Sequence, residues 1–179
     1  MENNITLIGM PGAGKSTTGV ILAKILSFGF LDTDLLIQQN LKKHLQEIMD
    51  ETDHLNLRRI EEEEILKINP DKYIIATGGS AVYSEKAMKH LYSISTIVFL
   101  KADRDVIEKR ISNFNSRGIA KAKNQTFKSL FFERQPLYER YAQIVIDCNS
   151  ISQEEAAEAI KNQLTMINNK GKEERENRK

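Results

Sequence analysis

Gly9-Met10-Pro11-Gly12-Ala13-Gly14-Lys15-Ser16 is a complete G-x-x-x-x-G-K-S/T motif. It sits between an apolar run, Asn4–Gly9, that reads as a strand, and Lys15–Leu26, which reads as a helix with Val20, Leu22, Ile25 and Leu26 on its buried side. Phosphate binding needs that arrangement. Glycines let backbone N–H groups turn inward around an anion, and the helix N-terminus adds its partial positive charge. Gly12, Ala13, Gly14, Lys15, Ser16 and Thr17 therefore form the expected nucleotide cradle. Lys15 is expected to face solvent and reach the β- and γ-phosphates, and the Ser16 hydroxyl is expected to be a Mg²⁺ ligand.

Outward from this loop, short apolar runs alternate with helical patterns. Phe30–Asp32, Tyr73–Thr77, Ser95–Leu100 and Ile144–Asp147 read as further strands. Leu35–Asn40, Leu45–Asp50, Leu55–Lys67, Asp103–Ser112 and Thr126–Tyr141 read as helices. Ser84 is placed to cap a helix reaching about Leu91, and Ser152-x-x-Glu155 is a capping box opening the last one. This alternation predicts an α/β fold with a parallel sheet covered on both faces. The polar stretch Asn113–Asn124 reads as a lid. Residues 1–167 read as one domain and 168–179, which hold no apolar residue, as a frayed or disordered tail.

Composition excludes several classes. The chain has 179 residues, 40% of them hydrophobic, and its 26 basic residues balance 25 acidic ones. A nucleic-acid-gripping protein usually carries a clear basic excess. No apolar stretch approaches the roughly 18 residues of a membrane span. The start lacks a signal-peptide pattern, and one cysteine, Cys148, suits a reducing compartment, so a cytoplasmic protein is expected. His44, His54 and His90 are scattered and read as surface or helix-end residues. Phe127, Phe131 and Phe132 read as core contacts near the lid.

No D-x-x-G occurs, and Leu100-Lys101-Ala102-Asp103 has leucine where a guanine-reading motif needs Asn, which argues against a GTPase. The length leaves no room for the extra domains of a motor. A small-molecule kinase fits. Asp32-Thr33-Asp34 ends the second strand, where a parallel sheet faces its ligand crevice. One carboxylate there can orient a metal and the other can take the proton of an attacking hydroxyl. Asp34 could equally be a helix N-cap. Arg58 and Glu61 share a helix face at i, i+3, and spacing alone favours an exposed surface pair.

Taken together, the P-loop, Asp32-x-Asp34, Arg58-x-x-Glu61, Ala76-Thr77-Gly78-Gly79, Arg117 and Arg134-Gln-Pro-Leu-Tyr138 resemble the shikimate kinase family over about residues 4–165. The resemblance implies a mononucleotide-kinase-like sheet of five parallel strands in the order 2-3-1-4-5, flanked by helices, with a lid. It implies ATP-dependent phosphorylation of shikimate to shikimate 3-phosphate, a step toward chorismate and aromatic amino acids, with Mg²⁺; a monomer is expected. It implies that Asp34 contacts the accepting hydroxyl and that Arg58 and Arg134 clamp the substrate carboxylate. Gly78 and Gly79 would line the acceptor, Arg110 would pack on adenine, Arg117 would reach the phosphates from the lid, and Asp32 would serve the metal with Ser16. Around the acceptor the chain departs from the family pattern: Leu57 replaces an aromatic, Ser80 a third glycine, and the lid reads Arg117-Gly118-Ile119-Ala120. Cys148-Asn149-Ser150 lacks a further nucleotide-side arginine. A sister kinase on another hydroxy acid or polyol, or a nucleotide-binding regulator without turnover, are the other readings these residues leave open.

Overall fold

The structure, a computed structural model, describes residues 4–111 and 118–176. Five parallel strands form one sheet: β1 (Asn4–Ile8), β2 (Gly29–Asp32), β3 (Tyr73–Ala76), β4 (Ser95–Lys101) and β5 (Ile144–Asp147). Their order is β2-β3-β1-β4-β5, as the resemblance implied. Central β1 pairs Leu7 with Ala76 of β3 and Ile8 with Phe99 of β4. Every residue of β1 is buried, as expected when helices cover both faces of a parallel sheet. Edge strand β5 alternates buried and exposed positions, with Val145 in solvent.

The helices are α1 (Lys15–Leu26), α2 (Thr33–Leu41), α3 (Leu45–Glu51), α4 (His54–Lys67), α5 (Glu85–Ile94), α6 (Arg104–Arg110), α7 (Phe127–Tyr141) and α8 (Gln153–Glu176). α1 packs on α8, while α5 and α7 pack on β4 and α4 packs on α5. The main core gathers around the sheet, from Leu7, Ile75 and Phe99 to Tyr138 and Ile160. A second small cluster, Ile37, Ile48, Leu57 and Ala120, ties α2, α3 and α4 to the segment after Gly118.

The caps follow the sequence closely. Ser84 Oγ accepts from the Ala87 N–H, and Ser152 and Glu155 exchange both bonds of their capping box. At α2 the cap is Asp32, not Asp34: its Oδ1 accepts from the N–H groups of Asp34 and Leu35. Asp32 keeps the extended backbone of the strand end, the conformation an N-cap requires, and Asp34 is already in the first helical turn. α7 runs through Pro136 without ending, burying Leu130, Phe131, Arg134 and Tyr138 on one side. Phe131 is in the core, but Phe132 is 60% exposed because it falls on the opposite face of that helix. α8 continues to Glu176, past the point where the polar composition suggested a tail. Lys, Glu and Arg are good helix formers, so polarity alone does not end a helix.

Candidate active site

The P-loop cradle is shaped by positive-φ glycines. Gly14, at the head of α1, has φ 98°, and Gly12 has φ 85°, regions that side-chain-bearing residues rarely adopt. Lys15 is buried rather than solvent-facing, and its Nζ donates to Gly9 O at 2.8 Å and Met10 O at 3.0 Å. The loop folds around its own lysine, holding the ammonium at the mouth of the cradle. Ser16 Oγ donates to Asp32 Oδ2 at 2.6 Å, which brings the hydroxyl and the carboxylate expected at a metal into contact.

One cavity of about 300 Å³ joins this cradle to the acceptor side. Gly12, Gly14, Lys15, Ser16, Thr17, Arg110 and Gln153 line its nucleotide end, and Asp34, Leu57, Glu61, Gly78, Gly79, Ser80 and Arg134 the other. Ala13 is buried behind the loop, its N–H donating to Met10 O at 3.1 Å. Arg110 Nη2 donates to Cys148 O at 3.0 Å, which anchors it at the nucleotide end. Burial pushes the Cys148 thiol up to about 11, so it stays protonated and inert at neutral pH.

The loop 77–80 is fixed from three sides. Thr77 N and Oγ1 both donate to Leu7 O, Gly78 N–H donates to Thr33 Oγ1 at 3.0 Å, and Tyr138 Oη donates to Gly79 O at 2.6 Å. The Gly78 N–H is thus committed to the protein. Gly78 also lets two carboxylates converge: a Cβ there would lie 2.3 Å from Glu61 Oε1 and 2.5 Å from Asp34 Oδ1.

Glu61 overturns the expectation of an exposed pair with Arg58. It is 3% exposed, and its Oε2 accepts from Ser80 Oγ. Its Oε1 is buried without a hydrogen-bond partner among the described residues. Burial, reinforced by the Asp34 charge, pushes its carboxyl up to about 7, against the opposing pull of Ser80, Arg134 and Lys15. The buried side of α4 is Leu57, Glu61, Glu64 and Ile65, which puts Glu61 toward the glycine loop. Spacing along α4 carries no signal of what packs against it. The one hint in the sequence was Ser80, a hydroxyl where the resemblance implies a third glycine.

Arg134 is 1% exposed, with Nη2 donating to Ala120 O at 2.7 Å. Arg58 is not part of the cavity wall; its guanidinium carbon stands 3.5 Å from the centroid of the Tyr83 ring. Tyr83 and Gln153 were not singled out by sequence reasoning, and neither belongs to a motif that could have found them. Arg117, with the first part of the proposed lid, lies outside the described residues. Among the described residues no group of three His, Cys, Asp or Glu side chains could hold a metal by itself. The Ser16–Asp32 pair instead suits Mg²⁺, which is held by one or two carboxylates together with substrate phosphates.

A parallel sheet in this order, with a P-loop and a carboxylate across the same cavity, defines a P-loop small-molecule kinase. Thymidylate kinase from Candida albicans, only 14% identical, shares the fold with a TM-score of 0.59 over 93% of this chain and 92% of its own. The shikimate kinase family model matches residues 11–165, and the chain belongs to that family. Its relatives include the shikimate kinase of Thermodesulfovibrio yellowstonii, 36% identical over 93% of this chain and 97% of that one. The shikimate kinase of Trichormus variabilis is 35% identical over 92% of this chain and 90% of that one. Among solved structures, shikimate kinase from Acinetobacter baumannii in complex with shikimate superposes with a TM-score of 0.84 at 27% identity, covering 93% of this chain and 94% of its own. No helix of the described residues is long and apolar enough to cross a membrane.

Proposed function

We propose that this protein transfers the γ-phosphoryl group of ATP to a hydroxyl of shikimate, giving shikimate 3-phosphate. The observation that carries the reading is that Lys15 and Asp34 line one cavity, so a phosphate donor and a hydroxyl acceptor meet inside it. Family membership and the relative solved with shikimate support the choice of acid. Phosphoryl transfer needs positioning and charge stabilisation more than covalent chemistry. The P-loop N–H groups and Lys15 hold the phosphates, with Arg110 and Gln153 at the base end. Asp34 orients the acceptor hydroxyl and takes its proton as the O–P bond forms. Arg134, with Arg58, anchors the carboxylate through charge-assisted hydrogen bonds. Gly79 offers its backbone N–H to the acceptor. Arg117 adds positive charge from the lid, 113–124. Ser16 and Asp32 would hold Mg²⁺, which neutralises phosphate charge when bound. The enzyme is read as a cytoplasmic monomer.

A coupled ADP-release assay over shikimate, quinate, gluconate, homoserine and nucleoside monophosphates tests this. Shikimate is expected to give acceptor-dependent turnover, falling on the order of 10²–10⁴-fold in Asp34→Asn with little change in KM. Turnover on another compound alone, dependent on Asp34, would keep the kinase and replace the substrate.

A further inference from the structure

Tyr83 ends the short 3₁₀ turn Ala81–Tyr83 that follows the glycine loop. The Arg58 guanidinium carbon lies 3.5 Å from its ring centroid and that of Arg134 lies 5.3 Å away. The Tyr83 hydroxyl donates to Glu133 Oε1 at 2.5 Å and accepts from Arg134 Nε at 3.4 Å. Glu133 Oε2 in turn accepts from Gln125 Nε2. The ring is therefore fixed by α7 and by the segment before it, and it touches the two arginines assigned to the acceptor carboxylate.

Among the described residues Arg58 makes no ion pair: Glu61 and Glu62, one turn further along α4, accept from Ser80 and Ser84. Its Nε is buried without a hydrogen-bond partner among the described residues. A protein carboxylate at Arg58 would occupy the in-plane N–H groups that a bidentate ligand needs. An aromatic face attracts the cation through its π-cloud and leaves the guanidinium edge for a ligand. It also offsets the repulsion between two guanidiniums held close together.

We propose that Tyr83 is a positioning residue for the acceptor acid: its ring holds Arg58, which stands just outside the cavity wall, beside Arg134, which lines it, so that both cations are within reach of one carboxylate. The proposal rests on the assignment of both arginines to an acidic acceptor, but not on that acid being shikimate.

The test compares Tyr83→Leu with Tyr83→Phe on whichever acid of the panel wild type phosphorylates. Tyr83→Leu is expected to raise the KM for the acid by about tenfold, while kcat and the KM for ATP stay within about twofold. Tyr83→Phe keeps the face and is expected to stay within about threefold of wild type. An unchanged acid KM in Tyr83→Leu overturns the proposal. So does an equal loss in both variants, which would make the hydroxyl the active feature, or a parallel fall in kcat and ATP affinity, which would mark a structural role. Independently of turnover, the ring-shifted Nε–H resonance of Arg58, assigned by its loss in Arg58→Lys, is expected to move in Tyr83→Leu and not in Tyr83→Phe. No movement overturns the stacking. Turnover on an acid other than shikimate would sink the substrate reading alone, and turnover on neutral polyols alone would sink both.

Discussion

Ser16 and Asp32 are joined by a 2.6 Å hydrogen bond from the Ser16 hydroxyl to Asp32 Oδ2, and Oδ1 of the same carboxylate caps α2. A single side chain therefore links the phosphate cradle to the first turn of the helix that carries Asp34. The hydroxyl proposed for the metal and the proposed base are positioned by one group.

Asp32→Ala is expected to lower stability by about 1 kcal/mol through the lost cap. It should also cut turnover by more than that loss explains, because Ser16 loses its partner and Asp34 its fixed helix start. Thermal melts beside the ADP-release assay separate the two effects. Full turnover in a destabilised variant would leave Asp32 a cap only.

Lys15→Met is expected to reduce turnover by roughly 10²–10³, the usual loss when a charge-stabilising donor is removed. Because Lys15 is buried against two carbonyls, the variant should also melt lower, by about 1–3 kcal/mol of stability. Turnover near wild type would remove Lys15 from the chemistry.

Gly78→Ala puts a methyl group 2.3 Å from Glu61 Oε1 and 2.5 Å from Asp34 Oδ1. Both carboxylates must move, so kcat should fall and the acceptor KM rise, while nucleotide affinity, set across the cavity, changes little. Nucleotide titration and steady-state kinetics on the same sample check this. Retained acceptor kinetics would show that neither carboxylate position matters.

Glu61 is expected to make stability fall with rising pH. Its folded value, up to about 7, lies above the ordinary carboxylate value, so the folded state binds the extra proton and stability drops between those two values. Melting temperature should decline from about pH 5 to 8 through this group, and Glu61→Gln should flatten that decline. Ser80→Gly removes a bond that favours the ionised form, so it should move the decline to higher pH. An unaltered pH profile in Glu61→Gln would place the titration elsewhere.

The nucleotide half was legible in the chain because its geometry is local. A cradle of consecutive backbone N–H groups, its glycines, the lysine and the helix start are fixed by contiguous residues 9–16, and β–α alternation with short connections leaves few sheet orders open. Asp32 and Asp34 stood out for the same reason, at a strand end two residues apart, although which one caps the helix took the backbone angles to decide. The acceptor half is non-local. Glu61 meets Ser80 across 19 positions, and Arg58 on α4 meets Tyr83 after the glycine loop only because α4 packs beside that loop. Helical spacing says which side chains share a face but nothing about the surface opposite. That is why a pair that reads as an exposed Arg58–Glu61 couple became a buried acid on one side and a stacked cation on the other.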